Sequence, residues 1–84
     1  MNPAAIEKNI LLALNAAGGV PLPESALVRA AQNLSQTDQP TVGDVLAALK
    51  RVETKKLVEG VSEELMETTW TLTTTGAHKA RKLS

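Results

Sequence analysis

Apolar residues recur at helical spacing near the start of the chain and predict an amphipathic helix there. Asn2 and Pro3 form a favourable start, because an Asn side chain caps free N–H groups of the first turn and Pro fits that turn. Gly18 and Gly19 predict its end, since glycine adopts the left-handed conformation after a helix without steric cost. The predicted inward face consists of aliphatic residues: Ile6, Ile10, Ala13, Leu14 and Ala17.

The next segment alternates proline with apolar residues and then becomes helical again. Each Pro within residues 20–23 restricts the residue before it to extended backbone, which predicts a short edge strand. Pro23 then opens a second helix, with Glu24 near the positive end of the helix dipole. The polar residues 35–40 predict a loop after it. The predicted buried face of the second helix is Leu27, Ala30, Ala31 and Leu34.

A third helix is predicted to start at Thr41. Thr41 can cap it, and Asp44 three positions later is a shorter form of the acidic partner in a capping box. An apolar stripe marks the predicted inward face: Val42, Val45, Leu46, Leu49 and Val52. Small and polar residues fall on the opposite side: Gly43, Asp44, Ala47, Lys50, Arg51 and Thr54.

After the third helix the apolar period changes from helical to alternating. Residues 57–61 and 68–73 are strand-like, and Trp70 and Leu72 alternate with threonines. In such a strand Trp70 is more often a core residue than a base-stacking one, because a buried aromatic contributes a large apolar area. Residues around 62–64 form the hairpin tip. Thr73 can cap a last helix that is predicted to pack three residues inward: Ala77, Ala80 and Leu83.

The order of these elements resembles the winged helix-turn-helix family, as in MarR-type and PadR-type regulators. Three features carry the resemblance: the Leu-rich third helix, the step Lys56-Leu57-Val58 into the hairpin, and the W-x-L-T-x-x-G spacing from Trp70 to Gly76. The resemblance covers nearly the whole chain. It implies a single α+β domain over residues 1–84, mainly helical, with a three-helix core, a small antiparallel β-hairpin wing and a short C-terminal helix.

The composition adds a charge that is balanced overall but unevenly spread. The chain has 84 residues, nine basic and nine acidic, so one small domain without net charge is expected. Two basic clusters, residues 50–56 and 78–82, flank residues 57–77, which hold glutamates and no lysine or arginine. Such patterning bears on partners rather than on the fold.

The sequence holds little enzyme chemistry. It has no Cys and one His, His78, so neither a Cys–His pair nor a His-rich metal site is available. Gly18-Gly19 lacks the spacing of a phosphate-binding loop. No run approaches the ~20 apolar residues of a membrane span. We therefore expect a complete, soluble, cytoplasmic small protein that is not an enzyme and uses no cofactor or metal.

Winged-helix proteins insert the exposed face of the third helix into the major groove. The resemblance thus implies double-stranded DNA as the partner, with Lys50 and Arg51 presenting donors to base edges and Lys55 and Lys56 contacting the backbone. The residues predicted to contact DNA are Gln39, Thr41, Ala47, Lys50, Arg51, Thr54, Lys55 and Lys56, with Gln36 and Thr37 as further hydrogen-bonding residues. The alternative for this face is an ordinary solvated helix surface.

Two further partners follow from the pattern. Paired half-sites add affinity, so a homodimer is expected, with Leu11 and Leu12 of the first helix as its surface. The wing argues against ordinary DNA binding, because DNA affinity comes largely from cations that neutralise phosphates. Its acidic residues are Glu59, Glu63, Glu64 and Glu67. The alternative function is a protein-interaction module without DNA binding, in which this wing and a small-residue face at Gly43, Ala47 and Ala48 recognise a protein.

Overall fold

A computed structural model describes residues 2–35 and 39–83. Within these ranges four helices and three strands follow the order expected from the sequence. The helices are α1 (Pro3–Ala16), α2 (Glu24–Asn33), α3 (Val42–Thr54) and α4 (Thr74–Leu83), and the strands are β1 (Leu22–Pro23), β2 (Val58–Val61) and β3 (Thr69–Leu72). The strands form one antiparallel sheet in the order β1-β3-β2, and the fold is the predicted mainly helical winged helix. We call β2, β3 and residues 62–68 between them the wing.

Helix α1 lies at the centre of the fold and contacts α2, α3 and α4. It begins as predicted, with Asn2 Oδ1 accepting a hydrogen bond from Ala4 N at 2.8 Å. Gly18 and Gly19 follow its end with φ angles of 65° and 90°. Because other elements surround α1, it buries residues on several sides: Ile6, Asn9, Ile10, Leu11, Ala13 and Leu14.

Leu11 belongs to this core and is only 2% exposed. Its side chain borders the same groove as Val52, Leu57 and Leu83, which come from α3, the segment after it and α4. The prediction that Leu11 forms a dimer surface is therefore wrong, since the chain itself covers this residue. Leu12, the other residue of that prediction, stays partly exposed.

Helix α2 follows Pro23, which takes the cap position and supplies no side-chain cap. The prediction that Leu34 belongs to the buried face is wrong, since this residue is 45% exposed at the C-cap position of the helix. Asn9 of α1 donates from Nδ2 to the Ala31 carbonyl at 3.3 Å and to Ser35 Oγ at 3.1 Å, which ties α1 to the end of α2. The buried residues of α2 are Leu27, Val28 and Ala31.

Helix α3 starts with the predicted capping box. Thr41 Oγ1 accepts from Asp44 N at 3.1 Å, and Asp44 Oδ2 accepts from Thr41 N at 3.2 Å. Val42 and Leu46 of the predicted stripe are exposed, whereas Ala48 is fully buried. Ala48 is therefore unavailable to the protein-recognition face proposed from the sequence. The inward residues are Val45, Ala48, Leu49 and Val52.

The end of α3 is a Schellman motif with a lysine at its left-handed position. Leu57 N donates to the Val52 carbonyl and Lys56 N donates to the Glu53 carbonyl, each at 2.9 Å. Lys56 has a φ angle of 61°. Glycine is the usual residue at this position because a β-carbon is disfavoured there. The chain thus retains an exposed cation at a position where glycine is the more stable choice.

Replacing Lys56 by glycine is expected to stabilise the fold by about 0.5–1 kcal/mol. The left-handed conformation costs a non-glycine residue roughly 1–2 kcal/mol, and part of the gain is offset by the greater entropy of glycine in the unfolded chain. Urea unfolding followed by Trp70 fluorescence measures the change. Lys56→Ala is the control, because it removes the charge and keeps the β-carbon. Equal stability of the Gly and Ala variants would show that a β-carbon in the left-handed conformation of residue 56 causes no strain.

Trp70 on β3 is a core residue, as its alternation with Leu72 predicts, and is only 7% exposed. It lies opposite Gly60 of β2 and Leu22 of β1 in the strand register. A β-carbon on Gly60 would come within 3.0 Å of the indole ring, so the ring packs directly on the glycine backbone. The indole Nε1 donates to Glu24 Oε1 at 3.3 Å, which connects the sheet to the start of α2.

Helix α4 starts at the predicted cap residue Thr73. Thr73 Oγ1 accepts from Gly76 N at 3.0 Å and donates to the Lys56 carbonyl at 2.7 Å. Gly76 is buried directly against the backbone of Leu57, which leaves no room for a β-carbon. Of the three residues predicted to pack inward, Ala80 is fully buried, and Ala77 and Leu83 are partly buried.

Candidate nucleic-acid interface

The outward face of α3 is defined by the residues opposite its buried side. Successive residues are turned by about 100° around a helix, so four residues fall within one narrow sector facing away from the core. All four are exposed: Gly43, Ala47, Lys50 and Thr54. We call these residues the outward face. Lys50 is its one cation, and the other three side chains are small and uncharged.

Arg51 and Lys55 lie on the flank of α3 that faces α1, and both are paired with Glu7. Arg51 Nε lies 3.3 Å from Glu7 Oε2, and Lys55 Nζ lies 2.8 Å from Glu7 Oε1. The hydrogen bond from Lys55 is the largest cause that lowers the pKa of the Glu7 carboxyl below its usual value; the Arg51 bond adds to it, and burial opposes both. Glu7 therefore stays charged at neutral pH.

The opposite flank of α3 borders the sheet. Lys50, Glu53 and Leu46 line a shallow depression together with Glu24 of α2 and Trp70 of β3. Two carboxylates thus lie near Lys50. The described residues provide no ion pair for Lys50 itself, so its ammonium is available to solvent or to a ligand.

The predicted DNA-contacting residues divide between the two ends of α3. Ala47, Lys50, Arg51, Thr54 and Lys55 border one shallow surface in its C-terminal half. Gln39 and Thr41 are exposed at the other end, and Thr41 lies roughly 15 Å from the middle of that surface at 1.5 Å per residue. Lys56 is exposed just beyond the helix. Gln36 and Thr37, which were also predicted to bond DNA, lie outside the described residues.

Two side-chain contacts, one on this surface and one between the wing and α2, were not predicted from the sequence. Glu7 was not considered, although Arg51 and Lys55 are four residues apart and so share a flank that one carboxylate can bridge. Glu67 of the wing accepts a hydrogen bond from Ser25 N at 2.6 Å, which lowers the pKa of its carboxyl. The sequence feature that could have indicated this second contact is Pro23, whose side chain cannot cap α2. The N–H groups in the first turn of α2 therefore need a hydrogen-bond acceptor from elsewhere in the chain.

The other three glutamates of the wing face solvent. Glu59, Glu63 and Glu64 are exposed, so the acidic character predicted for the wing is present at its surface. Its tip also carries exposed apolar side chains, and Leu65 is fully exposed with a φ angle of 66°. Within the described part of the chain, the wing presents no cation to a phosphate backbone.

The basic residues of α4 do not form one patch beside α3. Lys79 lines the groove between α1, α3 and α4 that also contains Lys55. Arg81 lines a different groove, with Gly18 and Thr71. Of these two residues, Lys79 extends the basic end of α3.

The described residues contain neither a candidate metal site nor a candidate membrane-spanning helix. Among residues 2–35 and 39–83, no group of His, Asp or Glu side chains could hold a metal ion. None of the helices in those ranges has the length and apolar character needed to cross a membrane.

The fold is shared with a solved transcription regulator. A crystal structure of MepR, a transcription regulator of the Staphylococcus aureus multidrug efflux pump MepA, superposes with a TM-score of 0.73 at 22% sequence identity. The likeness covers 93% of this chain and 53% of that chain, so this chain spans about half the length of MepR. It shows the winged-helix fold. No family model matches the chain, and neither does a curated protein.

Proposed function

We propose that the chain is a winged-helix transcription regulator that binds double-stranded DNA by inserting α3 into the major groove. The observation that carries the proposal is the outward face, which the fold leaves uncovered while the opposite side of α3 is buried in the core. The likeness to a transcription regulator over 93% of the chain supports it.

The outward face suits a close approach to base edges. Gly43 and Ala47 have little or no side chain, so the helix backbone can lie deep in a groove. Lys50 presents an ammonium that can bond guanine O6 and N7 or a phosphate. Thr54 Oγ1 donates to the Lys50 carbonyl at 2.9 Å, which leaves its oxygen free to accept a hydrogen bond from a base amino group. Base reading would therefore centre on Lys50.

The two ends of α3 are proposed to hold the DNA backbone. Gln39 and Thr41 lie beside the N-terminus of the helix, where the positive end of the helix dipole favours a phosphate. Lys56 lies at the other end, in the left-handed position where glycine would be more stable. A backbone contact gives a physical reason for a lysine at that position.

A single module of this kind is expected to bind DNA weakly at physiological salt. Lys50 and Lys56 are the proposed free cations, the wing adds none, and phosphate neutralisation dominates non-specific affinity. Two copies on paired half-sites would add affinity. Leu12, but not Leu11, remains available on α1 for such a pairing.

Lys50→Glu is expected to lower affinity for DNA about tenfold or more, since one good base or phosphate contact contributes roughly 1–3 kcal/mol. Fluorescence anisotropy on a labelled duplex of mixed sequence at low salt measures this change. Lys82→Glu is the matched control, because it makes the same charge change on an exposed residue of α4. The wild-type affinity should also fall steeply as salt rises.

Two results would overturn the proposal. The first is the absence of duplex binding by the wild-type protein at low salt. The second is an equal loss of affinity in Lys50→Glu and Lys82→Glu, which would mean that only the total charge matters.

A further inference from the structure

Glu7 of α1 forms ion pairs with Arg51 and Lys55, the two cations on the flank of α3 next to the outward face. Its carboxylate oxygens lie 2.8 Å from Lys55 Nζ and 3.3 Å from Arg51 Nε. The Glu7 side chain is only 14% exposed, whereas those of Arg51 and Lys55 are 41% and 55% exposed. The carboxylate is thus enclosed, and the two cations lie over it.

These pairs hold the cations away from the outward face. Arg51 is turned about 60° around the helix from Thr54, and Lys55 about 100°, both toward α1. The Glu7 carboxylate also cancels one of their two positive charges. A phosphate approaching the outward face would therefore meet Lys50 first, and Arg51 and Lys55 would be reoriented only at the expense of their bonds to Glu7.

We infer that Glu7 is an autoinhibitory residue of the DNA interface, which lowers affinity by retaining Arg51 and Lys55 against α1. The inference rests on the proposed function. It deepens that function by naming an internal carboxylate as the competitor of the DNA phosphates for the same two cations. The sequence assigns Arg51 and Lys55 to DNA contact. The structure shows that both residues bind Glu7 when no DNA is present.

The geometry favours inhibition over orientation of the cations by Glu7. The Lys55 ammonium is a point charge on a flexible stem, so a carboxylate cannot set a binding direction for it. Arg51 is bound through Nε alone, not in the two-bond fork that fixes a guanidinium plane. Ion pairs between partly exposed side chains stabilise a fold only weakly, so phosphates can compete for them.

The test replaces Glu7 by glutamine, which keeps the shape of the side chain. Glu7→Gln is expected to bind duplex about three- to tenfold more tightly, and to steepen the slope of log affinity against log salt by about 1–2, because each added phosphate contact contributes roughly 0.9. Glu53→Gln is the control. It also removes one negative charge beside α3, and among the described residues Glu53 has no ion pair.

A combined variant assigns the gain to the two cations. Adding Arg51→Gln and Lys55→Gln to Glu7→Gln should return the salt slope to that of the wild type. An affinity of Glu7→Gln equal to or below that of Glu53→Gln overturns the inference, and a loss would show that Glu7 orients Arg51 for DNA. Thermal unfolding followed by Trp70 fluorescence verifies that each variant is folded.

Elution from heparin separates this inference from the proposed function. Failure of the wild-type protein to bind duplex counts against the proposed function, and the immobilised polyanion then probes the cations directly. Elution of Glu7→Gln at higher salt than Glu53→Gln supports retention of Arg51 and Lys55 by Glu7. Elution of the two variants at the same salt overturns it.

Discussion

Gly76→Ala is expected to destabilise the protein by about 3 kcal/mol or more, which is a large part of the stability of a domain this small. The added β-carbon would meet the carbonyl of Leu57. That carbonyl accepts a hydrogen bond from Thr73 N at 3.1 Å, so it cannot move aside without breaking the bond that seats α4. Relief therefore requires a shift of backbone, because no flexible side chain lies at the contact.

Urea unfolding monitored by Trp70 fluorescence measures the loss in Gly76→Ala. Gly43→Ala is the matched control, since it makes the same change on an exposed helical residue where the new β-carbon is 3.8 Å from Thr41 Oγ1. That control should be neutral or stabilising by up to about 1 kcal/mol, because alanine favours helix over glycine. Similar midpoints for Gly76→Ala and the wild type would refute the backbone contact.

The contact at Gly76 also bears on the candidate interface. Leu57 closes the Schellman motif that ends α3, and Thr73 Oγ1 donates to the carbonyl of Lys56 in that motif. The start of α4 thus fixes the turn between α3 and the wing. A partly folded Gly76→Ala variant is therefore expected to lose the relative orientation of the two elements, even where α3 itself remains helical.

Local signals in the sequence were sufficient for the elements and their order. Asn2 and the pair Thr41 and Asp44 use side-chain oxygens to bond N–H groups within three residues, so these caps depend on little else. The alternation of Trp70 and Leu72 likewise reports a strand with one buried face. The order of the elements predicted in this way resembles the winged helix, and the likeness to MepR confirms that fold.

The choice of inward residues could not be made from the helix pattern alone. Leu46 belongs to the predicted stripe of α3 but is exposed, whereas Ala48 outside that stripe is fully buried, because the neighbouring elements decide which side of the helix is covered. Leu11 is buried for a related reason: α1 has neighbours on several sides, so an apolar residue away from the predicted face is also covered. Which side of a helix is covered by a neighbouring element depends on how the elements pack, and the spacing of apolar residues within one helix does not determine it.

The candidate site depended on contacts between distant parts of the chain. Glu7 meets Arg51 across 44 residues and Lys55 across 48, and Glu67 meets Ser25 across 42. Residue type and spacing predict that two lysines or arginines share a helix flank, but they do not say which carboxylate reaches them. The sequence therefore identified the cations of α3 and overestimated how many are free.

Trp70→Ala is expected to cost about 3–5 kcal/mol, the range for removing a large aromatic from a core. The indole packs on the backbone of Gly60 and joins the sheet to the core. Its loss would leave a cavity beside Leu22 on the neighbouring strand, and β1 contributes only two residues to the sheet. The edge strand is too short to close over that space.

Trp70→Phe separates the ring from its hydrogen bond. Phenylalanine keeps most of the apolar area and loses the 3.3 Å bond from Nε1 to Glu24, so it should cost roughly 1 kcal/mol. Circular dichroism in urea measures both variants, because each removes the single tryptophan fluorophore. Equal stability of the Ala and Phe variants would show that packing of the aromatic ring does not stabilise the wing.

The consequence for DNA binding follows from the position of the indole. Trp70 borders the depression on the sheet-side flank of α3 that also contains Lys50 and Leu46. Where the Ala variant is still folded at low temperature, its wing has lost the support that keeps it at a fixed distance from Lys50. Because the wing supplies no cation to the DNA backbone, duplex affinity should be equal in Trp70→Ala and Trp70→Phe after correction for the unfolded fraction. A weaker corrected affinity in Trp70→Ala would mean that α3 needs the wing at a fixed position to bind DNA.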